Sequence, residues 1–541
     1  MLIADCEVER DDGARVRVDV EIAGGRIARI TARASARGSR EGGAERDARA
    51  SRAASDAEPE RDACDAPRVL DARGGALLPA LHDHHLHLLA LAAARASVVC
   101  GPPGVRSREP LGRALRAAAS GGREVRGVAY HESVAGDLDR DALDALAPGA
   151  RVRVQHRTGA LWTWSSALLE ATGLAAGPPA GGWPEGAELD ARGRPTGRFF
   201  RLDDWLAARR EAAGLARPGD APSLADASRA LARAGVASAT DATPRNDAAT
   251  ARLLAAAFAR GELLQRVRLM GGPALDALLA DGCDERAEHA GQTSAPRGAR
   301  DAQRGARADA DAAADVDGPA IEIGERKLVL DERALPSPDA LARAVEAAHE
   351  AGRAVAVHCV TRVELALAAS AIAQAGARAG DRIEHASVAP PDLVAWLAEQ
   401  GVAVVTQPGF VRERGDAYLR DVDPVDRAWL YRCAGLDAAG VSLGGGTDAP
   451  YGAPDPWLAM QAAVDRRTEA GALLGRREAV TPERALALFT TSPDAPGGAP
   501  RRIAPGAPAD LVLLDRPWAR ARETLSADLV RATFARGRRI A

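Results

Sequence analysis

The sequence predicts an α/β fold, a (β/α)8 barrel of the TIM type, on three observations: eight short apolar segments, Ala/Leu-rich helical stretches between most of them, and a chain of 541 residues. The apolar segments lie near 76–82, 235–241, 266–271, 326–330, 354–358, 382–385, 402–406 and 441–446. Strands alternating with helical stretches such as 338–351 and 391–400 signal a parallel barrel or a doubly wound sheet, and a count of eight favours the barrel. A barrel takes about 250 residues, so additional parts are expected.

Those parts can be placed in order. Residues 1–31 alternate apolar and polar positions through Val16, Val18, Val20, Ile22, Ile27 and Ile30, with Gly24-Gly25 as a turn, which predicts a small β-unit. Segments 32–66 and 283–318 hold almost no apolar side chains to offset ordering entropy and read as disordered insertions. After the first strand comes an oversized segment, 97–230, with strands of its own at 125–131 and 151–156 and a Gly/Pro-rich stretch at 172–197. Segments that follow a barrel strand sit on the face that carries the chemistry, so this one is expected to cap the site. The tail, Ala509 to Asp515, reads as a strand that returns to the N-terminal unit. The expected organisation is therefore 1–75 with 500–541 as a small β-sandwich, and 76–499 as the barrel.

Composition narrows the partners. A formal net charge of −4, from 71 basic and 75 acidic residues, provides no phosphate-neutralising stripe, so nucleic acid is not expected. No stretch of about 18 uncharged apolar residues occurs, and the first residues resemble no signal peptide, so neither membrane nor export is expected. Six cysteines without CxxC pairing argue against a disulfide framework and suit a reducing cytoplasm. Of the 71 basic residues only Lys327 is a lysine. In a chain so biased to arginine, the surviving lysine is expected to do what arginine cannot.

The chemistry-bearing residues cluster at strand ends. Asp83-His84-His85-Leu86-His87 closes the first strand, and in extended backbone His85 and His87 face the same way as a metal-binding pair. Alone, His-x-His equally suits a turn or a histidine-rich surface. Lys327 opens the fourth expected strand, His358 ends the fifth, His385 ends the sixth, and Asp448 follows the eighth. Singly, His358 or His385 also reads as a satisfied core histidine. Together the set matches the place where barrel enzymes build their sites.

This order of His-x-His, Lys, His, His and Asp resembles the amidohydrolase superfamily. The segments 77–87, Arg382-Ile-Glu-His-Ala386, Gly446-Thr-Asp-Ala-Pro450 with Asp455-Pro456-Trp457, and 505–513 are similar to its YtcJ-like branch, amidohydrolase family 3, which includes N-substituted formamide deformylases. The resemblance implies one or two divalent metals, with zinc favoured by the ligand types. His85, His87 and Asp448 would hold one metal and His358 and His385 a second. Lys327 would bridge both after carboxylation by carbon dioxide, which a primary amine of lowered pKa can undergo and a guanidinium cannot. A structural lysine paired with an acid is the alternative reading. Asp448 would also be catalytic, passing the proton of metal-generated hydroxide to the leaving nitrogen.

The implied function is metal-dependent hydrolysis of a C–N bond in an amide, formamide or cyclic amide, acting on a small molecule. One alternative is deamination of a heterocycle, and a second is a catalytically silent scaffold. Deaminases of the superfamily typically carry a glutamate three residues after the fifth-strand histidine; here that residue is Thr361, and the first glutamate is Glu364. Substrate contacts are expected from His131, His156, Trp162, Gln407 and Tyr451, although Trp162 also reads as core. Where the family segment usually has a histidine after Gly159, this chain has Ala160, and His156 is a candidate replacement. A homodimer is a family-level expectation.

Overall fold

The computed structural model describes residues 1–33, 69–102, 104–215, 222–279 and 319–541. The segments expected to be disordered, 32–66 and 283–318, lie outside these residues apart from Ala32, the last residue of a strand, and Arg33.

Eight parallel strands form one sheet in the chain order Leu81–Leu86, Val236–Asp241, Arg266–Gly271, Ile321–Val329, Val355–Cys359, Arg382–His385, Ala403–Thr406 and Leu443–Gly445. The eighth strand meets the first. Asp448 N–H donates to His85 O at 2.7 Å, His87 N–H donates to Ala449 O at 2.8 Å, and Asp83 accepts from Thr447 N–H at 3.0 Å and Thr447 Oγ1 at 2.5 Å. Such an approach explains the run Gly444-Gly445-Gly446: a Cβ on Gly446 would lie 2.5 Å from His85 Cβ, and one on Gly445 2.8 Å from the Phe489 ring.

Helices cover the outside by burying one face each. Pro338–Glu350 begins at Ser337, whose hydroxyl accepts from Ala340 N–H, and Pro338 occupies the first turn, where a missing N–H costs nothing. It buries Leu341, Ala342, Val345 and Ala348, a stripe of helical period that packs into the barrel core cluster. Replacing Ser337 with Ala is expected to cost about 1 kcal/mol.

Two four-stranded sheets stand beside the barrel. The first comprises Leu2–Glu9, Arg15–Ala23, Arg26–Ala32 and Val69–Asp71; the second comprises Leu77–Pro79, Leu511–Leu514, Val530–Ala535 and Arg538–Arg539. Leu511 and Leu513 pack with Ile3, Val20 and Ile27, while Val512 and Leu514 pack into the barrel cluster. A strand buried on both faces loses its alternation, which is why 511–514 reads Leu-Val-Leu-Leu. Between the first two barrel strands lies a six-stranded sheet of Val98–Val99, Val125–Tyr130, Val152–His156, Leu161–Trp164, Ala187–Leu189 and Pro195–Phe200. The Gly/Pro-rich stretch thus contains a hairpin. Leu224, Ala227 and Leu231, before and within the helix Ala225–Arg233, belong to the barrel cluster.

Two strand expectations need correction. The expected strand 76–82 divides at Ala80: Leu77–Pro79 pairs antiparallel with the tail, and Leu81–Leu86 joins the barrel. Pro79 has no N–H to continue a ladder, and the barrel part is rich in His and Asp, which hid it. Lys327 does not open its strand but lies near its C-terminal end, because the strand starts at Ile321. Glu322, Glu325 and Arg326 obscure the signal; they pair with Arg268 and Asp276.

Candidate metal centre

The ends of five strands bring Lys327, His85, His87, His358, His385 and Asp448 to one cavity of about 820 Å³. His85, His385 and Asp448 each offer a ligand atom within 4.8 Å of the others. Asp448 Oδ1 lies 3.2 Å from His87 Nε2 and 3.6 Å from His85 Nε2. The His385 ring is 4.8 Å from His85 and 4.4 Å from His358, centre to centre.

Backbone conformation makes this convergence possible. His358 pairs in register with Glu384, and Cys359 with His385, so strand alternation would turn His385 outward with Cys359, which packs in the core. His385 instead takes φ 71° and Asp448 φ 56°, left-handed conformations that non-glycine residues seldom adopt. The turn at His385 swings its ring into the cavity beside Glu384.

The imidazoles are held from behind. His85 Nδ1 bonds Glu384, His87 Nδ1 bonds Thr243 Oγ1 at 2.8 Å, and His385 Nδ1 bonds Gln407 Oε1 at 2.6 Å. Each leaves Nε2 for the shared space, the arrangement by which outer partners fix a ligating histidine. Burial favours the neutral imidazole at three of the histidines: it lowers the pKa of His85 and His358 and, with His85 nearby, pushes His385 down to about 3. Burial alone would raise Glu384, but Arg382, Lys327 and His85 hold it well below the carboxylate range. Asp448 is likewise kept ionised against burial by His87, His85 and His385.

Lys327 is 5 % exposed, and its Nζ has no hydrogen-bond partner among the described residues. Burial lowers its pKa. A buried amine left unpartnered is costly, so the position is built for a further group. The donors suit a divalent metal: neutral imidazoles, one ionised carboxylate, and an amine open to carboxylation.

A model described as the Amidohydrolase family matches residues 68–541. The chain belongs to the amidohydrolase family. It is 32% identical to the N-substituted formamide deformylase of Arthrobacter pascens over 139 residues, 25% of this chain and 26% of that protein. It is 28% identical to the putative amidohydrolase YtcJ of Bacillus subtilis over 159 residues, 28% of this chain and 30% of that protein. The matched stretches thus span less than a third of either relative's length. An uncharacterized metal-dependent hydrolase from Pyrococcus horikoshii superposes with TM-score 0.63 at 19% identity, covering 95% of this chain and 97% of that one. The corresponding Pyrococcus furiosus structure gives 0.62 at 19% identity over 95% and 98%. These two share the fold.

Within this member of the family the secondary candidates have different surroundings. Tyr451 lines the cavity, its ring 5.4 Å from His87 and packed so closely on Gly159 that a Cβ there would lie 2.4 Å away. Ala160 lines the same cavity, at the position where the family segment carries histidine. Gln407 is 1 % exposed, bonds His385 Nδ1 through its carbonyl oxygen and does not line the cavity. His131 and His156 share Glu132, each with an Nε2 3.1 Å from a carboxylate oxygen, and neither lines the main cavity. Trp162 is buried in an aromatic cluster and donates Nε1–H to Asp203, which does line the cavity.

Sequence reasoning passed over Glu384, Thr243 and Asp83. Glu384 stands inside the segment Arg-Ile-Glu-His, where only the histidine drew attention. Its register with His358 was the signal available, once the strands are aligned. Nothing local to Thr243 announces its bond to His87.

Proposed function

We propose that this protein is a metal-dependent hydrolase that cleaves the C–N bond of an amide, formamide or cyclic amide. The single observation that carries the reading is the convergence of His85, His87, His358, His385 and Asp448 on one cavity with a buried, unpartnered Lys327. The formamide deformylase relative favours this substrate class, within the short stretch it shares. The six-stranded unit acts as the cap, contributing Thr158, Gly159, Ala160 and Arg201 to the cavity wall. The two four-stranded sheets form the small sandwich.

His85, His87 and Asp448 would hold one metal and His358 with His385 a second. Zinc suits these donors. Lys327, a buried amine of lowered pKa, would be the residue to take up carbon dioxide, an N–C bond forming and one proton leaving, and would then help to hold the metals. A bound divalent metal supplies a Lewis acid for the carbonyl and a water of lowered pKa. Asp448, ionised and facing the same space, takes the proton of the attacking water. It then delivers that proton to the leaving nitrogen.

Deamination is the weaker reading, because the first glutamate after the fifth-strand histidine in sequence is already committed. The Glu364 carboxylate accepts from Val360 N–H at 2.6 Å, Thr361 N–H at 3.1 Å and Glu332 N–H at 2.9 Å, and it closes a capping box with Thr361. It is 2 % exposed, tied to backbone and outside the cavity wall.

Metal analysis of purified protein, combined with a screen of N-formyl and N-acyl amines, cyclic amides and aminated heterocycles, tests the proposal. Bound divalent metal and amine release from an amide are expected, with activity lost to chelation and regained on adding metal. Ammonia released from a heterocycle without ring opening would overturn the choice of reaction.

A further inference from the structure

Four arginines line the cavity, beside the carboxylates of Asp203, Glu332, Asp423, Asp426 and Asp448, and three of the four are in ion pairs. Arg201 pairs with Asp331, Arg245 with Asp204, and Arg362 with Asp426 at 3.3 Å. Arg414 is the exception. Among the described residues no carboxylate lies within 4.0 Å of its guanidinium. Its neighbour Glu413 is turned to Ala453, accepting that N–H at 3.0 Å.

Arg414 is nonetheless held firmly. It belongs to the helix Gly409–Asp421, which follows the seventh barrel strand and presents Phe410, Arg414 and Tyr418 to the cavity at four-residue spacing. The guanidinium carbon sits 3.8 Å from the centre of the Phe410 ring. One nitrogen, Nη2, donates to Tyr451 O at 2.7 Å, and the rest of the fork has no protein partner among the described residues. Tyr451 also follows Asp448 by one turn, its N–H donating to Asp448 O at 2.8 Å, so the guanidinium is anchored to the segment that carries the candidate proton carrier. Beside it, the Tyr418 and Tyr431 hydroxyls lie 3.1 Å apart on the same wall.

An arginine fixed in orientation, lining the cavity and with no carboxylate in contact with its guanidinium is the form a carboxylate receptor takes, because a planar fork can bind both oxygens at once. We propose that the substrate carries a carboxylate, on the same molecule as the scissile C–N bond, and that Arg414 receives it. This deepens the hydrolase reading and rests on it. The carboxylate can stand on the amine side or on the acyl side of the bond, and the two chemistries are separable by test.

Wild-type holoenzyme is assayed with N-formyl and N-acetyl amino acids, with N-alkylsuccinamates, and with the matched amides in which hydrogen replaces the carboxylate. At least one carboxylated series is expected to exceed its neutral counterpart in kcat/KM by about 10–100-fold, carried mainly by KM. Arg414→Gln is expected to collapse that ratio toward one, and Arg414→Lys to retain part of it. Neutral amides cleaved as well as carboxylated ones by wild type, or an unchanged ratio in Arg414→Gln with metal content intact, would overturn the inference while leaving the hydrolase standing. Cleavage of no C–N bond by metal-loaded enzyme would remove both. The wild-type comparison decides whether the substrate carries a carboxylate even if the variants fail to fold.

Discussion

One strand and the residue after it carry two pairs of histidines, and only one pair faces the candidate metal centre. His82 and His84 are fully buried: His82 bonds Ser238 Oγ at 2.8 Å and Thr240 Oγ1 at 2.9 Å, and His84 bonds Thr491 Oγ1 at 2.8 Å. His85 and His87 project from the other face, where each imidazole has one nitrogen fixed and one aimed at shared space. Burial lowers the pKa of His82, His84 and His85 alike, so charge state does not set His85 apart from the other two. What separates them is whether the ring's Nε2 meets a fixed hydroxyl or other ligand atoms.

That contrast can be broken most severely at Asp448, the group both site histidines share. Asp448→Asn is expected to lower kcat/KM by about 10²–10⁴-fold, read together with metal content. Retention of wild-type turnover would remove Asp448 from the chemistry. Next comes Glu384, which supports His85 from behind and is also bonded to the buried Arg382 at 2.6 Å. Glu384→Gln should weaken metal affinity by about 10–100-fold. It should also destabilise the fold by about 3–5 kcal/mol, because Arg382 would lose a charge partner in the interior. Metal titration and chemical denaturation read the two effects separately, and an unaltered metal affinity would show that Glu384 serves only the ion pair. A smaller effect is expected from Thr243→Val, about 10-fold in metal affinity, since the His87 side chain is 13 % exposed and water can replace the lost hydroxyl.

The barrel and the convergence of the candidate ligands on one cavity were legible because they rest on patterns that survive in one dimension. Short apolar runs mark strands, and chemistry collects where the strands end. Less legible was everything that depends on a neighbour distant in sequence. Ile321–Val329 was read short because its buried charges are neutralised by Arg268 and Asp276 from another part of the chain. Alternation would have sent His385 outward, and only the left-handed turn at its own Cα brings it in. Gln407 was expected to touch substrate; its position beside the seventh strand was right, but the His385 ring intercepts its oxygen. The charge on Arg414 was visible in the sequence, whereas the absence of a contacting carboxylate, among the described residues, is a property of the assembled wall.

The mildest perturbation tests the other side of the comparison, the pair assigned to structure. His84 Nδ1 already lacks a hydrogen-bond partner among the described residues, so its bond to Thr491 through Nε2 is all that satisfies the ring. Thr491→Val conserves shape and removes that hydroxyl partner. Leaving a buried imidazole unpaired should cost about 1–3 kcal/mol of stability, measured by denaturation. Metal content and kcat/KM should stay at wild-type levels, because His84 faces away from the cavity. A loss of metal in Thr491→Val without a loss of stability would mean that the two faces of this strand are coupled, and that the division between structural and ligating histidines is drawn in the wrong place.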